Sequence, residues 1–295
     1  MNKQLSLFED EPKTPSRTID DILLRSKGKC HDNIRPFLRY PGSKYNASKF
    51  IEPFWANIEF EEYREPFLGG GAVFFKMPKH PLSILNDLDE ELINCYKIVQ
   101  DETLIKRLKT DASCVTPTRE WFDALKKTMP EDLYGRALRY FLINRTAYSG
   151  IMHLPNWGFH PTKSVQPDKW AERLELAHNK LVGNVELTNL HFRDIICKPS
   201  NKKVWMFIDP PYFAADQKRA YQKSFSTEDH IELAELLHKT PFMFCLTYDN
   251  CPQIKELYGW ANIYELEWMY HTANANVTTR KIGKELIITN YDITL

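Results

Sequence analysis

Five consecutive large apolar residues, Val204-Trp205-Met206-Phe207-Ile208, stop abruptly at Asp209-Pro210-Pro211-Tyr212. A run this short, with no polar side to turn towards water, suits a strand covered on both faces. The two prolines cannot donate to a ladder, so the strand has to end in a stiff turn that carries Asp209 and Tyr212. Other short runs repeat the pattern. They are 63–71, which runs into Gly69-Gly70-Gly71; 82–87, which ends on Asn86-Asp87; 185–190; and 242–250. Helical patterns separate them, among them 91–99 and a stretch that starts at Ser226 with Asp229 three residues on, the spacing of a capping box. Strands alternating with helices predict an α/β fold with a mainly parallel sheet. The runs 263–270 and 285–291 are expected to pair antiparallel at one edge.

The segment 116–180 breaks this rhythm. It is helical to about Arg145, then loop-like and rich in aromatics, Pro and Gly. We read it as an inserted, mostly helical domain interrupting a main domain built from 36–115 and 181–295. Residues 1–35 are polar and charged and are expected to form a disordered tail. They contain no long apolar run, so neither a signal peptide nor a membrane span is expected, and the protein should stay in the cytoplasm. The 39 basic and 39 acidic side chains balance, which excludes a simple polycation and leaves nucleic-acid contact to local patches. The six cysteines form no CxxC pair and the nine histidines no HExxH spacing, so reduced thiols and no metal are expected.

Three constellations carry chemistry. The first is Glu65-Pro66-Phe67-Leu68-Gly69-Gly70-Gly71, where glycines let backbone N–H groups approach a ligand. The second is Asp87, about 20 residues after the glycine turn and placed to bind the hydroxyls of a ribose, although it would also serve as a helix cap. Together they suggest an adenosine-containing cofactor. The third is Asp209-Pro210-Pro211-Tyr212. An aromatic exocyclic amine is a poor nucleophile because its lone pair is delocalised. A carboxylate accepting one N–H and a backbone carbonyl accepting the other would localise that pair, while the Tyr ring offers a stacking face.

The order 37–45, 65–71, helical insertion and 209–212, together with 144–150 and 279–285, resembles the Dam-type (D12 class, group alpha) DNA adenine-N6 methyltransferases from Phe37 to Tyr291. The resemblance implies a Rossmann-like domain that binds S-adenosyl-L-methionine, with 116–180 as the target-recognition region. It implies a reaction at N6 of adenine in double-stranded DNA, reached by base flipping on a nucleoid-associated, monomeric enzyme. Tyr40, Lys44, Glu65, Phe67, the three glycines, Asp87, Phe192 and Asp209 would hold the cofactor, with Lys44 on its methionine carboxylate. Asp209, Pro210, Pro211 and Tyr212 would act on the base, and Tyr221 and Phe225 would belong to a closing loop. Arg139, Asn144, Arg145, Tyr148, His153, Lys163, Lys218, Arg219, Lys223, Arg280 and Lys281 are the candidates for DNA contact. Each single charge would equally serve as a solvated surface group.

Two departures stand out. Relatives carry an Asp before the aromatic residue that packs on the cofactor's adenine, whereas this chain has His191-Phe192; His191 or Asp194 would have to replace it. Relatives that read GATC carry an Arg where this chain has His153, which lacks the bidentate fork for guanine. A target other than plain GATC, or relaxed reading at one base, is therefore expected. Gln4-Leu5-Ser6-Leu7-Phe8 resembles the peptide by which bacterial replication and repair proteins grip the sliding clamp. Two alternatives stay open at this point: an amino-group methyltransferase acting on RNA or protein, and a catalytically inactive DNA-binding module on the same fold.

Overall fold

The computed structural model describes residues 17–18, 32, 34–214, 225–269 and 282–293. Its strands are β1 (Arg17–Thr18), β2 (Glu62–Glu65), β3 (Leu82–Asn86), β4 (Val185–Thr188), β5 (Val204–Ile208), β6 (Met243–Asp249), β7 (Asn262–Met269) and β8 (Ile282–Thr289). They form one sheet in the order β1-β7-β8-β6-β5-β2-β3-β4. Strands β6, β5, β2, β3 and β4 run parallel, and β8 is antiparallel to both β6 and β7. The sheet is thus mixed and mostly parallel, as the apolar runs predict.

All five residues of β5 are buried, which accounts for the run without a polar side. The antiparallel pairing of 263–270 with 285–291 is present, but β8 lies inside the sheet, between β6 and β7. The outer neighbour of β7 is β1, two residues from the stretch expected to form a tail.

The helices are α1 (Ser48–Ile51), α2 (Ala72–Lys76), α3 (Glu90–Gln100), α4 (Leu104–Ser113), α5 (Arg119–Lys127), α6 (Leu133–Thr146), α7 (Trp170–Leu181), α8 (Phe192–Ile196), α9 (Thr227–Lys239) and α10 (Pro252–Leu257). Local chemistry sets their starts. Asp89 caps α3 by accepting from Glu91 N and Leu92 N, with Glu90 and Glu91 favourably placed in the first turn. Ser226 and Asp229 close a reciprocal capping box on α9. None of the described helices is long and apolar enough to cross a membrane.

Helix α6 packs on α3, and α7 packs on α4. Phe141 and Trp170 of this region share one core with Phe37, Phe75 and Tyr96, the Phe37 and Tyr96 rings lying 4.9 Å apart. A smaller cluster of Phe122, Ile143 and Ala147 anchors α5 and the loop after α6, with Trp157 packed on Phe122 at 5.5 Å. That loop is drawn tight at Gly158, where a Cβ would stand 2.4 Å from the Tyr148 backbone.

Strand β2 is buried at all four positions although three of its residues are charged. Arg64, at 0% exposure, pairs with Glu62 (Nε to Oε1, 2.6 Å) and donates through Nη1 to the carbonyls of Ile195 and Lys198. Ser200 donates to the other oxygen of Glu62. The pair thereby ties β2 to α8 and the turn after it. We expect Arg64→Met to cost about 3–5 kcal/mol, because it strands the buried Glu62 carboxylate. Replacing both partners by Met should cost clearly less than this single change. Urea denaturation of the three proteins measures the difference.

Candidate active site

The carboxyl ends of β2, β3, β4 and β5 converge where the chain's connections reverse direction, between β2 and β5, the place where open α/β sheets bind ligands. Leaving β2, the backbone turns through Gly69 (φ +49°) and Gly71 (φ +63°), both left-handed. A Cβ on Gly69 would lie 2.9 Å from the Tyr40 ring, and one on Gly70 would lie 3.0 Å from Tyr40 Cβ. The turn therefore has to be bare for Tyr40 to pack on it. The helix that follows, α2, is only five residues long, so its dipole adds little to ligand binding.

Asp87 follows β3. Its Oδ2 accepts from Gly69 N (2.8 Å) and its Oδ1 from Asp89 N (3.0 Å), which fixes the carboxylate against the glycine turn. Burial raises its pKa to about 6, against the opposing pull of those two N–H groups. Glu65 is pushed much further up, first by burial and then by the nearby Asp209 and Asp87 charges, although the Tyr63 hydroxyl donates to it. Glu65 thus holds a proton more readily than a free glutamate does.

After β5, Asp209 meets Lys44, whose Nζ lies 2.8 Å from Oδ1 and 3.0 Å from Oδ2. Thr247 Oγ1 donates to Oδ1 at 2.6 Å. Burial alone would lower the Lys44 pKa, but Asp209 and Glu285 outweigh it and the net shift is upward, so the ammonium stays charged. It also donates to Gly42 O and sits 4.7 Å above the Tyr212 ring. Tyr212 donates to the buried Glu285 at 2.8 Å, and Asp249 accepts from Phe213 N and Ala214 N. These contacts hold the Asp-Pro-Pro-Tyr turn rigid.

The glycine turn, Asp87, Glu65, Lys44 and Asp209 line one cavity of about 440 Å³, with Tyr212, Thr247, Asp249 and Glu285 set behind its wall. Its walls include Tyr40, Lys44, Glu65, Phe67, Gly69, Gly70, Gly71, Asp87, Phe192 and Asp209, all the residues singled out for the cofactor. Pro211 lines it as well, and Pro210 is buried behind. Lys44 engages Asp209 and Gly42 in this structure, so a role on a methionine carboxylate would require it to rearrange. At one end Phe67, Phe192 and Phe225 pack together, with centroids 5.4–5.7 Å apart.

The candidates for DNA contact scatter more widely. Asn144 is wholly buried: its amide bonds Arg39 N, Arg39 O and Gly150 O, so it joins the start of the fold to the loop and has no face for DNA. Arg145 is 4% exposed, and burial first, then Arg173 and Arg39, lower its pKa to about 9, so it too is corrected to an interior residue. Arg139 caps the end of α5 through the carbonyls of Leu125 and Lys126. Tyr148 is 53% exposed, Lys163 lies on the surface, and His153 lines the cavity. Gln4–Phe8, Lys218, Arg219, Tyr221, Lys223, Arg280 and Lys281 lie outside the described residues. Sequence reasoning missed Thr247, Asp249 and Glu285, none of which sits in a spacing that advertises its partner.

Residues 40–272 match the family model of the D12 class N6 adenine-specific DNA methyltransferases. The chain belongs to this family. It is 25% identical over 282 residues to the type II methyltransferase M1.LlaDCHI of Lactococcus lactis subsp. cremoris, covering 88% of this chain and 96% of that one. It is 26% identical to the type II methyltransferase M.MjaIII of Methanocaldococcus jannaschii (88% and 99% covered) and to the DNA adenine methylase of Serratia marcescens (70% and 78% covered). A putative methylase, HI0767, from Haemophilus influenzae is similar at a TM-score of 0.29 and 12% identity over 86% of this chain and 92% of that one, too low to add to the argument. The D12 enzyme described here transfers a methyl group from S-adenosylmethionine to N6 of adenine in DNA.

The cavity fits that cofactor on its own terms. A bare glycine turn, a carboxylate fixed beside it, an aromatic end and an acidic wall suit a cationic sulfonium joined to a nucleoside. If Asp87 accepts from the ribose hydroxyls, as the resemblance implies, cofactor affinity is expected to fall as the pH drops below about 6, because protonation removes that acceptor. The raised pKa places this loss well above the usual carboxylate range. Calorimetric titration between pH 8 and pH 5 should show it, and Asp87→Asn should bind weakly with a flatter pH profile.

Proposed function

We propose that this enzyme methylates a short, specific sequence in double-stranded DNA and draws the target adenine out of the helix to reach Asp209. The observation that carries this reading is the Asp209 carboxylate, held by Lys44 and Thr247 on the wall of the cavity that also contains the glycine turn and Asp87. A base paired inside a duplex cannot bring its amino group to a recessed carboxylate, so flipping is required.

S-adenosylmethionine supplies a methyl group on a positively charged sulfur, an electrophile in need of a lone pair. The enzyme's task is to free that pair on N6. Asp209 would accept one N6–H and a backbone carbonyl of the Asp209–Pro211 turn the other, pulling the nitrogen towards tetrahedral geometry. Lys44 pairs with the carboxylate and orients it, and Thr247 occupies one side of it, leaving Oδ2 the less encumbered acceptor. Pro210 and Pro211 stiffen the turn. Tyr212 would flank the base, its hydroxyl tethered to Glu285.

The helical segment 116–180 is proposed as the target-recognition region, with exposed Tyr148 and Lys163 on its loop. His153 offers an imidazole where a guanine-reading fork would be needed, which favours a target other than plain GATC. Gln4–Phe8 is proposed as a sliding-clamp peptide, its Leu and Phe side chains acting as apolar anchors.

Incubating the protein with unmethylated genomic DNA and cofactor, then sequencing the modified positions, tests the central claim. N6-methyladenine confined to one short motif is expected, and Asp209→Ala should lower the rate at least about a hundredfold while cofactor binding persists. A plain GATC readout would refute the inference from His153. Separately, removing residues 1–10 should abolish clamp capture in a pull-down without changing the methylation rate on short duplexes.

A further inference from the structure

The aromatic end of the cavity contains an acceptor that no part of the reading so far uses. Phe192 lies beside His191, with ring centroids 4.2 Å apart, and Phe225 packs across from it. Asp229, in the first turn of α9, also lines the cavity here, and its carboxylate lies within 4.8 Å of a His191 ring nitrogen. One of its oxygens, Oδ2, accepts from Ser226 N and closes the capping box. Among the described residues, none donates a hydrogen bond to the other oxygen.

Neighbouring groups cannot take the same role. His191 Nδ1 accepts from Arg193 N, which leaves its other ring nitrogen to act as a donor rather than as an acceptor for an amine. Glu232 is paired with Arg193 and lies outside the cavity wall. Asp194 is exposed and lies outside it as well. A metal ion on His191, Asp229 and Glu232 would compete with the Arg193 guanidinium, which already pairs with Glu232. A flat aromatic slot with one unused carboxylate oxygen at its rim suits a planar heterocycle that presents an N–H donor at its edge.

We propose that Asp229 accepts a hydrogen bond from the exocyclic amine of the cofactor's adenine, so that the capping turn of α9 selects a 6-amino purine. This rests on the reading that the Phe67–Phe192–Phe225 end holds the nucleoside. Asp229 then acts twice: one oxygen starts the helix and the other reads the base. Because α9 follows the segment after the Asp-Pro-Pro-Tyr turn, the same capping turn links purine binding to the position of Phe225.

The test compares S-adenosylhomocysteine with its 6-oxo analogue, S-inosylhomocysteine, by calorimetric titration. A bond to a charged acceptor should favour the adenosine compound by roughly ten- to a hundredfold in the unaltered protein. Asp229→Asn can still cap through its amide oxygen, but it turns a donor towards the base, so the preference should collapse or invert. Ser226→Ala removes the other half of the capping box and should keep the preference. Each ratio is measured on one preparation, so any loss of folded protein cancels. An unchanged preference in Asp229→Asn, or none in the unaltered protein, would overturn the proposal. If Phe192→Ala weakens neither compound, the nucleoside is held elsewhere and the underlying reading fails instead.

Discussion

The side-chain amide of Asn86 sits at the point on which the cavity's geometry depends. Buried at the end of β3, it donates to the carbonyls of Pro66 and Leu190 and accepts from Thr188 Oγ1 and Leu190 N. One planar group thus joins the chain leaving β2, the end of β3 and the chain leaving β4. The glycine turn, Asp87 and Phe192 each lie a few residues from one of these ties. A buried amide with all its bonds made is stiff, and one left half-satisfied would cost more than an apolar residue in its place. The relative positions of the glycine turn, the Asp87 carboxylate and the aromatic slot are therefore set at the sheet edge, before any ligand arrives.

The cavity gathers several carboxyl groups in a small space and keeps their charges apart by different means. Burial and its neighbours make ionisation of Glu65 costly and push its pKa upward. Asp87 sits near its titration point, supported by two backbone N–H groups. Asp209 is matched by the Lys44 ammonium. The wall remains acidic enough to favour a cation without carrying like charges that would push the strands apart.

Most of the sheet was legible because its information is local. Runs such as Val204–Ile208, turns such as Gly69–Gly71 and the Ser226–Asp229 cap depend on residues within a few positions of one another. Their neighbours in space were not legible. Nothing in the spacing says that Tyr212 reaches Glu285, that Asp249 clamps the turn after it, or that Thr247 supports Asp209. Asn144 and Arg145 were misread for the same reason. A polar residue type suggests a wet surface, whereas the fold used the Asn144 amide to bind the Arg39 backbone and buried Arg145 against Trp170. The inward place of β8 was equally hidden, since two strands adjacent in sequence pair with each other whether or not a third lies beside them.

That placement has a consequence for how the protein is made. Strand β8 is synthesised after both β6 and β7, yet it separates them. Until it leaves the ribosome, the nascent chain presents two unpaired strand edges with nothing between them, the kind of surface on which aggregation begins. Glu285, which tethers Tyr212, arrives on that same strand. The Tyr212 hydroxyl therefore gains this tether only when the gap in the sheet is filled. In a chain still being translated, the Tyr212 ring can already meet Lys44 and Tyr248, but its hydroxyl lacks the Glu285 tether.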